Sequence, residues 1–406
     1  MKYQFRNILQ KWVASSLILR ILVGLVIGAV LALLVPDWTW IGVFGTLFVS
    51  ALKAIAPILV AMLVISSIAR ANGGLGSRFG TVIGLYIIST LSAALVAVAG
   101  SFLFPVTLKL QDVVEASAPA ALSDVFSNLL TNMVTNPVTS LATANYIGIL
   151  FWSILVGLGL KIAATHQTVQ VVSDLADVVS LIVRWIIQFA PFGIMGLVFS
   201  AVSESGLEIF TTYGRLILVL VGCMLFNTLI MNPIWSFLAT GKNPYPLLWT
   251  CLKESGLQAF FTRSSAANIP INMALCKKLE LDKDFYSVSI PLGATINMNG
   301  AAVTITVMTL AVAHTLGIEV SFASAVFLSV VATLGACGAS GVAGGSLLLI
   351  PMACSFLGIG NDIAMQAVAV GFIIGVVQDS VETALNSSGD VFFTATAEYR
   401  ERRKGQ

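Results

Sequence analysis

The chain of 406 residues is 57% hydrophobic and only 10% charged, with a formal net charge of +2. Because an ordinary soluble domain has about a quarter of its residues charged, this composition excludes a water-soluble globule and requires a surface that faces lipid. The small net charge gives no reason to expect a nucleic-acid partner. Five scattered cysteines without a CxxC pair, and only two histidines, argue against a zinc site or a disulfide framework.

The predicted elements are mainly apolar segments long enough to cross a membrane as helices. A hydrocarbon core about 30 Å thick needs roughly 20 helical residues. Segments of this length lie at 14–35, 41–69, 79–104, 142–164, 179–202, 214–239, 285–315 and 361–396. The first follows Lys2, Arg6 and Lys11 without a small-residue cleavage pattern, so we expect an uncleaved span rather than a signal peptide. The sequence therefore predicts an all-α polytopic membrane protein with about eight transmembrane helices.

Two further apolar segments are interrupted. The segment 245–275 is broken at 258–265 and at Pro270, and the segment 322–357 is broken by the glycine-rich run 335–345. Each pattern predicts a re-entrant hairpin of two half-length helices, since non-helical backbone at membrane depth is tolerated only against protein or a water-filled cavity. Paired interrupted segments are typical of the binding site of a secondary transporter.

Basic residues indicate the orientation. They occur near the N-terminus, at Arg70 and Arg78, and at 277–283 and 400–404, all on one side of the predicted spans. On the opposite side, the segment 105–141 has Lys109 as its only basic residue. By the positive-inside rule, both termini lie in the cytoplasm. We expect 105–141 to be an exposed, mobile loop within a divided fourth span.

Polar and acidic side chains are concentrated in the last predicted span. Their spacings of three and four place them on one face of a helix. They are Asp379, Glu382, Thr383, Asn386 and Asp390. Because 361–396 contains no Lys or Arg, simple ion pairing within a helix bundle is the less favoured interpretation, and the stripe indicates a functional site.

The motif 293–300 predicts a local helix break that frees backbone carbonyl groups. Asn297, Asn386, Asp390 and the carbonyl of Gly293 then offer several oxygen ligands, which suit a hard cation such as sodium. Helix–helix packing explains Asn and Gly in an apolar span equally well.

The tips of the two predicted hairpins offer further contacts. The first tip contains Arg263, Ser264 and Ser265, and the N–H groups of a half-helix that begins there suit a carboxylate. The glycines of the second tip permit close backbone approach and a gating hinge.

Other functional classes are less compatible with these patterns. A channel needs a continuous polar pore, whereas polarity here is concentrated at the hairpin tips. The sequence contains no HExxH or GxSxG motif and no phosphate-binding loop, so we expect neither an enzyme nor an ATP-driven pump.

Over nearly its whole length the sequence resembles the dicarboxylate/amino acid:cation symporters, the glutamate-transporter family, and within that family it is most similar to the bacterial serine/threonine–sodium symporters. The most specific matching segments are 262–265, 291–300, 335–346 and 379–390. The resemblance implies an elevator fold and a homotrimer in a bacterial inner membrane. It also implies one integral membrane domain, with scaffold-like spans mainly within 1–70 and 105–240 and a transport part formed by 71–104 and 241–406.

The resemblance also implies ligands by position. The implied substrate-binding residues are Arg263, Ser264, Ser265, Gly341, Val342, Asp379, Glu382, Thr383 and Asn386. Among them, Ser265 and Asn386 would hold the substrate carboxylate and Asp379 its ammonium group, with help from Thr383. The implied sodium ligands are Gly293, Asn297, Asn386 and Asp390 at one site, and Thr295, Ala336, Cys337 and Ala339 at a second.

Departures from the acidic-amino-acid members indicate a neutral substrate. Glu382 replaces the arginine that reads a side-chain carboxylate there, and Ala301 replaces a threonine. Because a bound aspartate would meet a like charge, we expect sodium-coupled uptake of serine or threonine, with acidic amino acids or C4-dicarboxylates as the alternative. Two interpretations of Glu382 remain open: either it or Thr383 bonds a substrate hydroxyl, or it pairs with Arg263.

A further departure concerns sodium. Asn299 replaces the usual aspartate, so a third sodium site, which in the family would also use Tyr86, Ser89 and Thr90 with Asn297, lacks its carboxylate. We therefore expect fewer coupled sodium ions than in glutamate-type members.

Overall fold

The computed structural model describes residues 15, 17–70, 76–110, 131, 133–206, 208–337, 339 and 344–404, and all regular secondary structure in these ranges is helical. In chain order the α-helices are α1 (Leu17–Leu34), α2 (Gly42–Arg70), α3 (Gly76–Leu103), α4 (Pro137–Ala142), α5 (Tyr146–Ala163), α6 (His166–Gln188), α7 (Ala190–Ser205), α8 (Glu208–Phe226), α9 (Asn232–Thr240), α10 (Tyr245–Cys251), α11 (Leu257–Thr262), α12 (Ser265–Lys278), α13 (Lys283–Ile296), α14 (Asn299–Thr315), α15 (Phe322–Ala336), α16 (Ile350–Phe356) and α17 (Asn361–Lys404). Short 3₁₀ turns lie at Thr39–Ile41 and Leu347–Leu349, and π-helical turns lie at Asn227–Met231 and Leu252–Gly256.

Several of these helices are long and apolar enough to cross a membrane. Within the described ranges they are Thr39–Arg70, Arg78–Leu103, Phe210–Thr240, Lys283–Thr315 and Asn361–Arg403. A sixth span arises if α6 and α7, which bend by 54° where they meet, are counted together. The prediction of a multi-pass helical membrane protein is confirmed, whereas the number of about eight spans stays a prediction.

The helices pack in two groups. In the first, α1 packs against α7, and α2 packs against α5, α6 and α7. In the second, α17 is surrounded by α3, α11, α12, α13, α14 and α16. The groups meet at contacts such as the one between Phe48 of α2 and Phe372 of α17, whose ring centroids are 5.1 Å apart.

One stretch packs differently from the predicted division. Helices α8 and α9, within 105–240, were expected among the scaffold-like spans. They pack mainly against α3, α14 and α17, which belong to the predicted transport part. Packing therefore gives no support for assigning 208–240 to the scaffold, and the division into two moving parts stays a prediction.

The first interrupted segment forms the predicted pair of half-length helices. The chain reverses after α11 at Arg263, which is left-handed with φ +51°, and Ser264 caps α12 by accepting a hydrogen bond from the N–H of Ala267. An ion pair of 2.6 Å between Lys278 and Glu254 joins the two arms at their open end.

The second interrupted segment also has two helical arms. Helix α15 ends at Ala336, and the returning arm begins with the 3₁₀ turn and continues as α16. At Gly335 a Cβ atom would lie 2.2 Å from Cε of Met352, so glycine permits the arms to approach closely.

The predicted break in the seventh span is present. Helix α13 ends at Ile296, Asn297 and Met298 have non-helical backbone, and α14 begins at Asn299. This break faces the acidic stripe of α17, against which α13 and α14 both pack.

Candidate functional site

The polar stripe of α17 is enclosed by protein. Its five predicted members are all buried: Asp379, Glu382, Thr383, Asn386 and Asp390. Because charged groups at membrane depth are costly, their burial against the helix break and both hairpins marks this junction as the candidate site.

Asp379 joins both hairpins to α17. Arg263 at the first tip donates from Nε to Oδ2 of Asp379 at 2.6 Å, and the N–H of Gly344 in the second hairpin donates to Oδ1 at 3.2 Å. Both members of the ion pair are buried. Removing either one would leave an uncompensated charge in the protein interior.

Glu382 has different partners. Its Oε2 accepts hydrogen bonds from Thr304 Oγ1 at 2.7 Å, from Ser346 Oγ at 2.9 Å, and from the amide of Gln378. Gly300 permits α14 to lie close to α17, since a Cβ atom at Gly300 would be only 3.0 Å from Cα of Glu382. The interpretation in which Glu382 pairs with Arg263 is therefore wrong: Arg263 pairs with Asp379, and Glu382 has no ion pair among the described residues.

Asn386 and Asn297 connect α17 to the helix break. Oδ1 of Asn386 accepts the N–H of Gly300 at 2.8 Å. Nδ2 of Asn297 donates to the carbonyl of Asn386 at 3.2 Å and to Oδ1 of Asp390 at 2.9 Å. These bonds bring together the residues predicted for the first sodium site.

Two enclosed oxygen atoms in this cluster have no hydrogen-bond partner among the described residues: Oδ1 of Asn297 and Oδ2 of Asp390. A Cβ atom at Gly293 would lie 2.8 Å from Oδ1 of Asp390 and 2.8 Å from the hydroxyl of Tyr86, so glycine is required for this approach. Enclosed, unpaired oxygens of this kind are unfavourable unless a ligand satisfies them. The oxygen atoms of Gly293, Asn297, Asn386 and Asp390 thus form a set of ligands that fits a hard cation such as sodium.

The residues predicted for the second sodium site also lie near the break. Sγ of Cys337 is 3.5 Å from the carbonyl of Ile296, which follows Thr295. Ala336 and Ala339 are buried beside it. Gly341 and Val342, predicted to contact substrate, lie outside the described residues.

The residues at which the resemblance implies a third sodium site form a hydrogen-bonded network of neutral groups. Asn299 donates to Ser89 at 3.1 Å, and Ser89 donates to Asn232 at 2.7 Å. Asn227 donates to the same oxygen of Asn232 at 3.3 Å. Thr90 bonds the carbonyl of Tyr86 in its own helix at 2.8 Å.

Sequence reasoning missed several residues of the site: Thr304, Ser346, Gln378, Asn227 and Asn232. One signal was present for Gln378, which precedes Glu382 by one helical turn on the same face. Two asparagines in one apolar span gave a second signal for Asn227 and Asn232.

Comparison with known proteins identifies the family of this chain. The model of the sodium:dicarboxylate symporter family matches residues 17–399. A Bifidobacterium adolescentis protein named serine/threonine transporter SstT is 60% identical over 395 residues, which cover 97% of this chain and 92% of that protein. A Streptococcus thermophilus protein with the same name is 55% identical over 401 residues, covering 98% of this chain and all of that protein. The expected family and the expectation of a transporter rather than an enzyme are thus confirmed: the chain belongs to the sodium:dicarboxylate symporter family.

Proposed function

We propose that this protein is a sodium-coupled symporter that carries serine and threonine into the cell across a bacterial inner membrane. The names of relatives at 55–60% identity support the substrate class. The observation that carries the proposal is the buried junction of both hairpins with α17, in which Glu382 is enclosed on the same helix as Asp379 and Asn386.

The site supplies complementary groups for a zwitterion. Asp379 meets the substrate ammonium, while Ser265 and Asn386 hold the carboxylate and Thr383 assists. Ser265 is buried at the start of α12, beside the Arg263–Asp379 ion pair. A zwitterionic neutral amino acid carries no net charge, so its binding leaves the net charge of the site unchanged.

Glu382 disfavours an acidic substrate. The side-chain carboxylate of an acidic substrate would meet the like charge of Glu382 and would have no cationic partner of its own. Such a contact costs several kcal/mol in a desolvated pocket. A short hydroxylated side chain instead offers a hydrogen-bond donor to the carboxyl group. This preference supports serine and threonine over aspartate, glutamate or C4-dicarboxylates.

Sodium is the coupled cargo. Gly293, Asn297, Asn386 and Asp390 would hold one ion, and backbone oxygens of Thr295, Ala336, Cys337 and Ala339 would hold another. The unpaired oxygens of Asn297 and Asp390 support the first assignment. The excess of carboxyl groups over Arg263 in the site also favours binding of cations.

The proposed movement is that of an elevator, in which the helices around α17 carry the site past a scaffold that contains α1 and α2. The second hairpin acts as a gate, and the protein works as a homotrimer with both termini in the cytoplasm. The separate packing of the α1–α2 and α17 groups supports this division.

Uptake of labelled serine by proteoliposomes that contain the purified protein tests the proposal. We expect uptake that depends on an inward sodium gradient, is blocked by unlabelled threonine and is unaffected by aspartate. An equal potassium gradient is the control for ionic strength. Uptake blocked by aspartate would indicate an acidic substrate, and sodium-independent uptake would contradict the proposed cation site.

A further inference from the structure

The two oxygens of the Glu382 carboxyl group have different surroundings. All three hydrogen bonds from described residues end on Oε2. Oε1 receives none of them. Oε1 is therefore the oxygen of this buried carboxyl group that remains for a further donor.

The donors to Oε2 come from separate elements. Thr304 belongs to α14, Ser346 precedes the 3₁₀ turn of the second hairpin, and Gln378 lies one turn before Glu382 in α17. All three are buried. A carboxyl group bonded from three sides in this way cannot rotate freely about its terminal torsion.

Gln378 also orients the hydroxyl of Thr304. Its Nε2 donates to Oγ1 of Thr304 at 2.7 Å, so the single hydroxyl proton of Thr304 is directed to Oε2 of Glu382. Gln378 thus acts on the carboxyl group both directly and through Thr304.

We propose that Thr304, Ser346 and Gln378 are positioning residues that fix Glu382 so that its Oε1 accepts the hydrogen bond of the substrate side-chain hydroxyl. This assignment rests on the proposed function, since it requires a hydroxylated amino acid in the site. It predicts an order of affinity in which serine and threonine bind more tightly than alanine.

The physical basis is the difference between a satisfied and an unsatisfied buried acceptor. When serine binds, Oε1 exchanges water for the substrate hydroxyl. When alanine binds, Oε1 loses water and gains no donor, and a site built in this way strongly rejects the analogue that lacks the hydroxyl.

The test compares alanine with serine as competitors of labelled serine uptake in three variants. Thr304→Val removes the oriented hydroxyl, and Thr304→Ser restores it. Thr306→Val is the matched control, since Thr306 is buried in the same helix and its hydroxyl has no partner among the described residues. We expect the ratio of the alanine to the serine inhibition constant to fall about tenfold in Thr304→Val, and to stay near wild type in the other two.

Equal weakening of serine and alanine in Thr304→Val would assign a merely structural role to Thr304 and overturn the proposal. Wild-type protein that binds alanine as tightly as serine would overturn it as well. If Thr304→Val does not yield folded protein, Ser346→Ala is judged by the same ratio. Absence of sodium-dependent serine uptake in the wild type would instead contradict the proposed function itself.

Discussion

At the scale of single residues, the ionisable groups of the site have unequal partners. Arg263 and Asp379 form a buried ion pair, and Glu382 is bonded by neutral donors. Asp390 receives one bond from Asn297, and its second oxygen has no partner in the part of the chain that the structure describes. The three carboxyl groups are therefore distinct in chemistry although they share one helix face. Of these three carboxyl groups, only that of Asp390 has an enclosed oxygen without a partner among the described residues and also bonds to the helix break.

Asp390→Asn is expected to weaken sodium binding. The substitution keeps the shape of the side chain but removes its charge, and affinity for a hard cation depends on ligand charge, so we expect the apparent sodium affinity to fall roughly tenfold or more. The sodium dependence of serine uptake measures this change. Asp284→Asn, at an exposed carboxylate outside the site, is the control. An unchanged sodium dependence in Asp390→Asn would remove this residue from the cation site.

The expected number of sodium ions transported with each substrate depends on Asn299. Its amide donates to Ser89, so the position where glutamate-type members have a carboxylate is neutral and already hydrogen-bonded. We expect fewer sodium ions per substrate than in those members. Parallel uptake of labelled sodium and labelled serine by the same proteoliposomes gives the ratio. A value equal to that of a glutamate-type member measured alongside would refute the expectation.

At the scale of elements, a buried polar network fastens the first hairpin to α17. Nδ2 of Asn272 donates to the carbonyl and the hydroxyl of Ser387, both at 3.1 Å, and Oδ1 of Asn272 accepts from Ser255 and Asn268. Ser255 and Asn272 lie on opposite arms of the hairpin. The network therefore holds the two arms together as well as to α17.

Asn272→Leu is expected to destabilise this junction. The substitution removes hydrogen bonds to buried groups on three elements, which costs about 1–3 kcal/mol. A lower thermal unfolding midpoint of the purified protein would show this loss. Thr306→Val should leave the midpoint nearly unchanged, because its hydroxyl has no bond to lose among the described residues. Equal midpoints in both variants would show that the network contributes little to stability.

At the scale of the whole molecule, the two helix groups meet through apolar side chains. Phe48 and Phe372 pack edge to face at this boundary. Apolar contacts are non-directional, so one such surface can slide over another without leaving unpaired polar groups. The boundary is therefore suited to the relative movement that an elevator requires.

Bridging this boundary is expected to stop transport without abolishing binding. In the double variant F48C/F372C, a membrane-permeant reagent that links two thiols should block serine uptake, while serine still binds to the detergent-solubilised protein. Each single variant with the same reagent is the control. Continued uptake by fully cross-linked protein, as judged by mass spectrometry, would contradict movement between these two helices.

The parts of the site that could be predicted are those within one element. Helical spacing alone places Asp379, Glu382 and Asn386 on one face of α17, and the Asn–Gly pattern indicates the break before α14. The partners of Glu382 on other elements could not be predicted, because tertiary packing decides which hydroxyls of α14 and the second hairpin reach it. For the same reason the sequence alone does not show which helices 208–240 packs against, since apolar helices that pack on different neighbours have similar sequences.

The π-helical turn at Asn227–Met231 also constrains how this protein can change in length. A π turn contains one residue more than an α turn, so it corresponds to a single insertion in the span formed by α8 and α9. Deleting that residue would rotate α8 relative to α9 by about 100°, the angle between successive residues of a helix. The amides of Asn227 and Asn232, now 3.3 Å apart, would no longer face one another. This span therefore accommodates substitutions far more readily than a one-residue deletion.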